Sequence, residues 1–204
     1  MKTRTAILDA ARLAFNAHGL AQVTLRDIAA GMGRAYGNIT YHFPTKEALV
    51  TALYAELAEG LQDVSKAFVS QADLLDAILA APKQTFGLSL RYLFFYRDFL
   101  DVVRGFPGVA AEIRNANLQR MEGLRGLFLQ LQAIGYLDSG LDESDIDYIM
   151  ELSGAVRTIF FQQLTVEEWK DPGLEARYVD RVNRLLYPYL TDKGKTRYRD
   201  FTGN

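Results

Sequence analysis

The sequence contains no cysteine. Disulfides, thiolate zinc sites and a cysteine nucleophile are thereby excluded. Histidine is scarce too: only His18 and His42 occur, and no histidine pair stands at metal-ligand spacing. No run of about 18 apolar residues exists to cross a membrane. Lys2, Arg4, Asp9 and Arg12 interrupt any apolar leader at the N-terminus. A cytoplasmic protein with no membrane partner is expected. Strand alternation and hairpin turns are missing as well. So are a Gly-rich phosphate loop after a strand and a G-x-S-x-G elbow. The carboxylates of Asp142, Glu143 and Asp145 cluster in a polar turn, where they read as helix-start charge. With no catalytic constellation, neither an enzyme nor a cofactor is expected.

What is present is a chain of 204 residues, 49% hydrophobic, enough for one or two compact domains. Its apolar residues recur with the helical period almost throughout. The pattern predicts an all-α protein of about nine helices: residues 2–18, 25–31 and 36–41, a fourth that begins after Thr45 and carries Ala48 to Leu57, then 74–96, 99–104 and 109–134, an eighth that follows the polar turn DSGLDESD (138–145) and runs to about Thr165, and a ninth over 174–190. Pro82 is expected to kink the fifth helix. Arg97, beside Asp98, is expected to cap the sixth. The stretch from Ser65 to Asp73 is polar, and the tail after Thr191 is expected to fray. A division near residue 48, inside the fourth helix, would give an N-terminal three-helix helix-turn-helix head (1–48) continuous with a larger helical body (49–204).

Charge is distributed unevenly between these parts. Residues 1–48 carry six basic residues (Lys2, Arg4, Arg12, Arg26, Arg34, Lys46) and three acids (Asp9, Asp27, Glu47), from chain totals of 23 and 25. A mildly basic head on an acidic body fits an anionic partner at one end only.

The segment GNITYHFPTKEAL, residues 37–49, points to that partner. It places Asn38, Thr40, Tyr41 and His42 on about two turns of chain, with Ile39 and Phe43 left to hold it to a core. Thr24 and Asp27 form a capping box before the preceding helix. Two short helices in this order suit a helix-turn-helix, whose second helix presents hydrogen-bonding side chains to base edges and phosphates in the major groove. Gly37 removes a side chain, so that DNA or a neighbouring helix approaches closely. Lys46 lies in the first turn of the next helix, a place that favours phosphate. His42 either contacts phosphate or bonds within the head. Arg34 either contacts phosphate or is an ordinary exposed turn residue.

Ala11, Phe15, Gly19, Thr24, Ile28, Ala29, Gly33, Gly37, Asn38, His42, Phe43, Lys46, Glu47 and Leu49 carry a longer pattern, roughly F-x3-G-x4-T…I-A…G-x3-G-x4-H-F-x2-K-E-x-L. In this the sequence resembles the N-terminal part of TetR-family transcriptional regulators, over about residues 5–50. The resemblance implies a helical homodimer that binds a double-stranded DNA operator and a small-molecule effector. It adds Thr24 and Arg26 as contacts to the DNA backbone. Ala35, Tyr36 and Thr40 depart from the family's usual residues at positions that touch DNA; they alter the operator sequence, not the binding mode.

Beyond residue 49 aromatic residues accumulate. Most belong to the core, but some are candidates to line an apolar ligand cavity between helices: Phe86, Phe94, Phe95, Phe99, Met121, Leu124, Phe128, Met150 and Phe161. Arg157 sits within the wide apolar arc of the eighth helix and needs a partner. That partner is an acid such as Glu112 or Glu151, an anionic ligand, or the other subunit. Residues 174–190 form an amphipathic helix that would join the eighth helix, two from each subunit, in a four-helix interface, and Ser153, Gly154 and Ala155 permit close helix approach. In the family the last two helices usually form the dimer. Two recognition helices then match a two-fold-symmetric operator. The expected function is a homodimeric repressor whose operator binding is modulated by a small, largely apolar ligand. The alternative is a regulator whose body docks a protein partner instead.

Overall fold

The computed structural model describes residues 2–67, 73–165 and 167–203. Among them are eleven α-helices and no strand: α1 (Lys2–His18), α2 (Leu25–Gly31), α3 (Tyr36–His42), α4 (Lys46–Ala67), α5 (Leu74–Arg91), α6 (Phe94–Arg97), α7 (Phe99–Gly105), α8 (Pro107–Ala133), α9 (Glu143–Gln162), α10 (Leu174–Arg184) and α11 (Asp192–Thr202). Of the polar stretch Ser65–Asp73, residues 68–72 lie outside the described residues. Among the described residues no helix is long and apolar enough to cross a membrane. The chain divides into two compact units: Met1–Gly60 with Leu88–Ala116, and Leu61–Gly87 with Asn117–Asn204.

In the first unit α1 buries Ile7, Leu8, Ala11 and Phe15, at the spacing of one helical face. Leu25, Ile28 and Ala29 of α2, Ile39 of α3, Phe43, and Leu49, Val50 and Leu53 of α4 complete the core around them. Phe94 packs its ring 5.2 Å from that of Phe15 and 4.2 Å from that of Phe95. The predicted helix over 74–96 ends instead at Arg91. Tyr92, Leu93, Phe94 and Phe95 are all buried. Four consecutive residues cannot occupy one stripe of a helix, so the chain turns and restarts as α6. Pro82 is accommodated within α5, which continues through it.

The second unit is built on Leu75, Leu79, Phe128, Leu131, Ile146, Ile149, Met150, Leu186, Leu190 and Tyr198. Asp142 caps α9 through a reciprocal box with Asp145. The buried Asn183 donates its amide to the Leu79 carbonyl at 2.9 Å. The helix expected over 174–190 stops at Arg184 and gives way to a 3₁₀ turn at Tyr187–Tyr189, whose Pro188 lacks a helical donor.

The tail after Thr191 is not frayed. It forms α11, capped by the Thr191 hydroxyl, which accepts from Gly194 N–H. Gly194 and Tyr198 are buried one turn apart. Arg197 pairs with Asp73 and Asp76, and Tyr136 donates its hydroxyl to Asp73 at 2.6 Å. A Cβ at Gly194 would overlap the Tyr136 carbonyl oxygen.

Candidate nucleic-acid interface

The surface begins with the cap of α2. Thr24 Oγ accepts from Asp27 N–H at 3.2 Å, and the Asp27 carboxylate accepts from Thr24 N–H at 2.8 Å. Bonds from the Thr24 hydroxyl and backbone hold the Asp27 carboxyl below its ordinary range. This box fixes where α2 starts, and Gly33, at φ +61°, turns the chain out of it. α3 then follows, held by the buried Ile39 and by Phe43 behind it.

Around α3 successive residues lie about 100° apart. Gly37 and Tyr41 therefore fall roughly opposite Ile39, flanked by Tyr36 and Thr40 on one side and by Asn38 and His42 on the other. Tyr41 is 83% exposed, and its ring meets that of His42 edge-on at 5.1 Å. Thr40 returns its hydroxyl to the carbonyls of Tyr36 and Gly37, at 3.4 and 3.3 Å. The Arg26 guanidinium lies 5.3 Å from the centre of the Tyr36 ring, a cation–π pair that joins α2 to α3. Thr24, Arg26, Arg34, Ala35, Tyr36 and Asn38 are exposed, while Thr40 and His42 are half-buried. Arg34 and Asn38 keep their side-chain donors without a partner among the described residues.

Gly37 has an ordinary negative φ, and a Cβ on it would meet nothing within 4 Å. Of the two explanations for this glycine, close approach of a neighbouring helix therefore falls away.

Lys46 is placed differently from the other nine expected residues. Its ammonium is half-buried and donates to the Leu20 carbonyl. Burial lowers its pKa, against the opposing pull of Asp101 and Asp27. An open cleft of about 310 Å³ lies beside it, lined by Leu20, Ala21, Asp101, Arg104, Gly105 and Phe106.

The aromatic residues expected to line a ligand cavity fall into separate groups. Phe94 and Phe95 are core residues of the first unit, and Phe99 is 37% exposed. Phe128 and Met150 belong to the second unit's core, with Met121 and Leu124 packed against it. Phe86 and Phe161 stack with Tyr178 at 5.4 and 5.0 Å. Arg157 is half-buried and directs Nε to Ser153 Oγ at 3.4 Å; no carboxylate pairs with it among the described residues. The expected internal partners, Glu112 and Glu151, are not used.

Sequence reasoning missed Asn16 and Asp98. Asn16 donates its amide to Arg91 C=O at 2.9 Å and accepts from Phe94 N–H at 3.0 Å, closing both ends of the α5–α6 break. Asp98 does not cap α7, and Arg97 donates to the Asn16 carbonyl at 3.3 Å instead of capping. Nothing in a linear sequence marks bonds between residues so far apart.

Two family models match the chain: one described as bacterial regulatory proteins of the tetR family, over residues 7–53, and one described as a bacterial transcriptional repressor, over residues 53–198. The chain is 40% identical over 73 residues to a probable HTH-type transcriptional regulator, ArpR, of Pseudomonas putida, covering 36% of this chain and 35% of that protein. It is 32% identical over 123 residues to an HTH-type transcriptional repressor of Mycobacterium tuberculosis, covering 58% and 64%. The chain thus spans about a third of the first relative's length and less than two thirds of the second's. Among solved structures, a TetR-family transcriptional regulator from Marinobacter aquaeolei superposes with a TM-score of 0.86 at 22% identity, covering 100% of this chain and 98% of that one. A ketosteroid transcriptional regulator of Mycobacterium tuberculosis gives 0.75 at 19% identity, covering 93% and 95%. At these identities the structural likeness is one of fold.

Proposed function

The chain belongs to the TetR family of bacterial transcriptional regulators, and on that premise we propose that it is a homodimeric repressor that reads its operator with α3. The observation that carries this reading is the face of α3 around Gly37: polar, open, and backed by a fully buried Ile39. Asn38 is suited to adenine N6 and N7. Thr40, with its hydroxyl returned to the helix, offers its methyl group to thymine. Tyr36, Tyr41, His42 and the Ala35 turn flank these contacts. Arg26, Arg34 and Thr24 meet the phosphates. Lys46 supports this surface from within by holding Leu20.

The dimer is assigned to α9 and α10. Tyr148 and Ile159 of α9 are 58% and 47% exposed, with Gly154 and Ala155 open between them. This apolar stripe on an otherwise charged surface favours a second copy. A small, largely apolar effector binds among the helices beyond residue 49 and acts by binding one arrangement of the dimer better than another. Arg157, lacking an acid partner among the described residues, meets either that effector's anionic group or the other subunit.

Selection of duplexes from a random-sequence library by the purified protein tests the reading. A two-fold-symmetric consensus bound by a dimer, with affinity falling as salt rises, is expected. Recovery of no consensus, or one bound by monomers, refutes it.

A further inference from the structure

Two arginines bracket α3. At its start the Arg26 guanidinium, from α2, lies 5.3 Å from the centre of the Tyr36 ring. At its end the Arg4 guanidinium, from the first turn of α1, lies 5.0 Å from the centre of the Phe43 ring. Tyr36 is the first residue of α3, and Phe43 is the first after it. Seven steps of about 1.5 Å set the two pairs roughly 10 Å apart along the helix.

Both arginines are exposed, while Phe43 is buried. A guanidinium that gives its face to a ring keeps its N–H edge for another partner. Neither arginine has a carboxylate partner among the described residues: Asp9 pairs with Arg12 and Arg91, and Asp27 caps α2. The first turn of α1 carries no acid, so the partial positive charge of that helix end also stands uncompensated beside Arg4. The ring therefore holds a long, unpaired cation next to the end of the reading helix, where its ordering cost is met before DNA arrives.

We propose that Arg4 is a phosphate contact that anchors the C-terminal end of α3, as Arg26 anchors its N-terminal end. Its partner is a backbone phosphate of the operator duplex, bound through the free edge of the guanidinium. One anchor fixes a point of a helix and leaves it free to pivot in the groove. An anchor at each end fixes its tilt as well, and so decides which base edges Asn38 and Tyr41 can meet. Arg4 precedes residues 7–53, the part of the chain that matches the family's head, so the family pattern does not supply this contact. The inference rests on the DNA-binding reading above.

The full-length Arg4→Leu variant tests it against a duplex that the wild-type protein selects from a random library. Leucine still covers the Phe43 ring but carries no charge. Its affinity should fall about tenfold per head, as for loss of one charge-assisted bond. The slope of affinity against salt should fall by about one per head. Duplexes with a single methylphosphonate, which is neutral, then locate the contact. One replacement should weaken wild-type binding and leave Arg4→Leu binding unaffected, and a different one should do the same for Arg26→Leu. An unchanged salt slope overturns the proposal, as does a single phosphate shared by both variants. A lower Tm with that slope unchanged would make Arg4 a cover for Phe43 and nothing more. Failure of the wild-type protein to select any duplex would instead refute the DNA reading itself, and this inference with it.

Discussion

Gly37→Ala separates the two reasons a glycine can occupy a helix. The wild-type residue has negative φ and nothing within 4 Å of a built Cβ. Alanine therefore fits the isolated protein without strain. It also removes the entropic cost of helical glycine, roughly 0.5 to 1 kcal/mol. In a chain of this length, that gain raises Tm by about 1–4 °C. Against DNA the sign reverses. A methyl group forced into a closely packed groove costs about 1–3 kcal/mol, or roughly five- to a hundredfold in affinity per recognition helix. Two heads on one operator compound the loss. Calorimetry and fluorescence-anisotropy titration with the selected duplex check both halves. A variant that is more stable and binds as tightly as wild type would show that DNA does not approach Gly37. A less stable variant would show that the glycine serves the fold.

Lys46→Ala should weaken DNA binding without altering its salt dependence, because the ammonium holds Leu20, whereas Arg34→Ala should lower the slope of affinity against salt by about one; titrations at several salt concentrations compare them. Ile159→Glu, on the exposed stripe of α9, should give a monomer in sedimentation velocity and abolish tight operator binding. Thr24→Val should raise the Asp27 pKa back toward its ordinary 3.8, as followed by carboxyl NMR shifts. Because the folded value is the lower one, the stabilisation from this box is complete above 3.8 and disappears as pH falls through the folded pKa. Unfolding curves of wild type and variant should therefore converge in acid.

Local rules made much of the candidate interface's local structure legible. Thr24 and Asp27 stand three residues apart, and a capping box needs only that spacing. Ile39 and Phe43, four apart among polar neighbours, identified the inward side of α3. The end of α5 was hidden because Tyr92–Phe95 reads as a continuous apolar run, which fits a buried helix until all four side chains must be covered at once. α11 was hidden for the opposite reason. It is strongly polar and buries only Gly194 and Tyr198, so no apolar stripe announced it, although Thr191 supplied its cap. Arg197 reaching Asp76 across 121 residues, like the Asp98 carboxylate reaching Leu20 N–H, is a product of tertiary placement and leaves no periodic trace.

The tight seat of Gly194 makes that position diagnostic. A larger residue there must push the 191–194 backbone away from Tyr136, breaking the bond from Thr191 N–H to the Tyr136 carbonyl. Among related chains, glycine three residues after a capping threonine, with a tyrosine four residues further on, should therefore mark those that keep a docked C-terminal helix. Chains with any other residue at that site should end at the preceding 3₁₀ turn or carry their tails elsewhere, and a comparison of sequences alone can sort them.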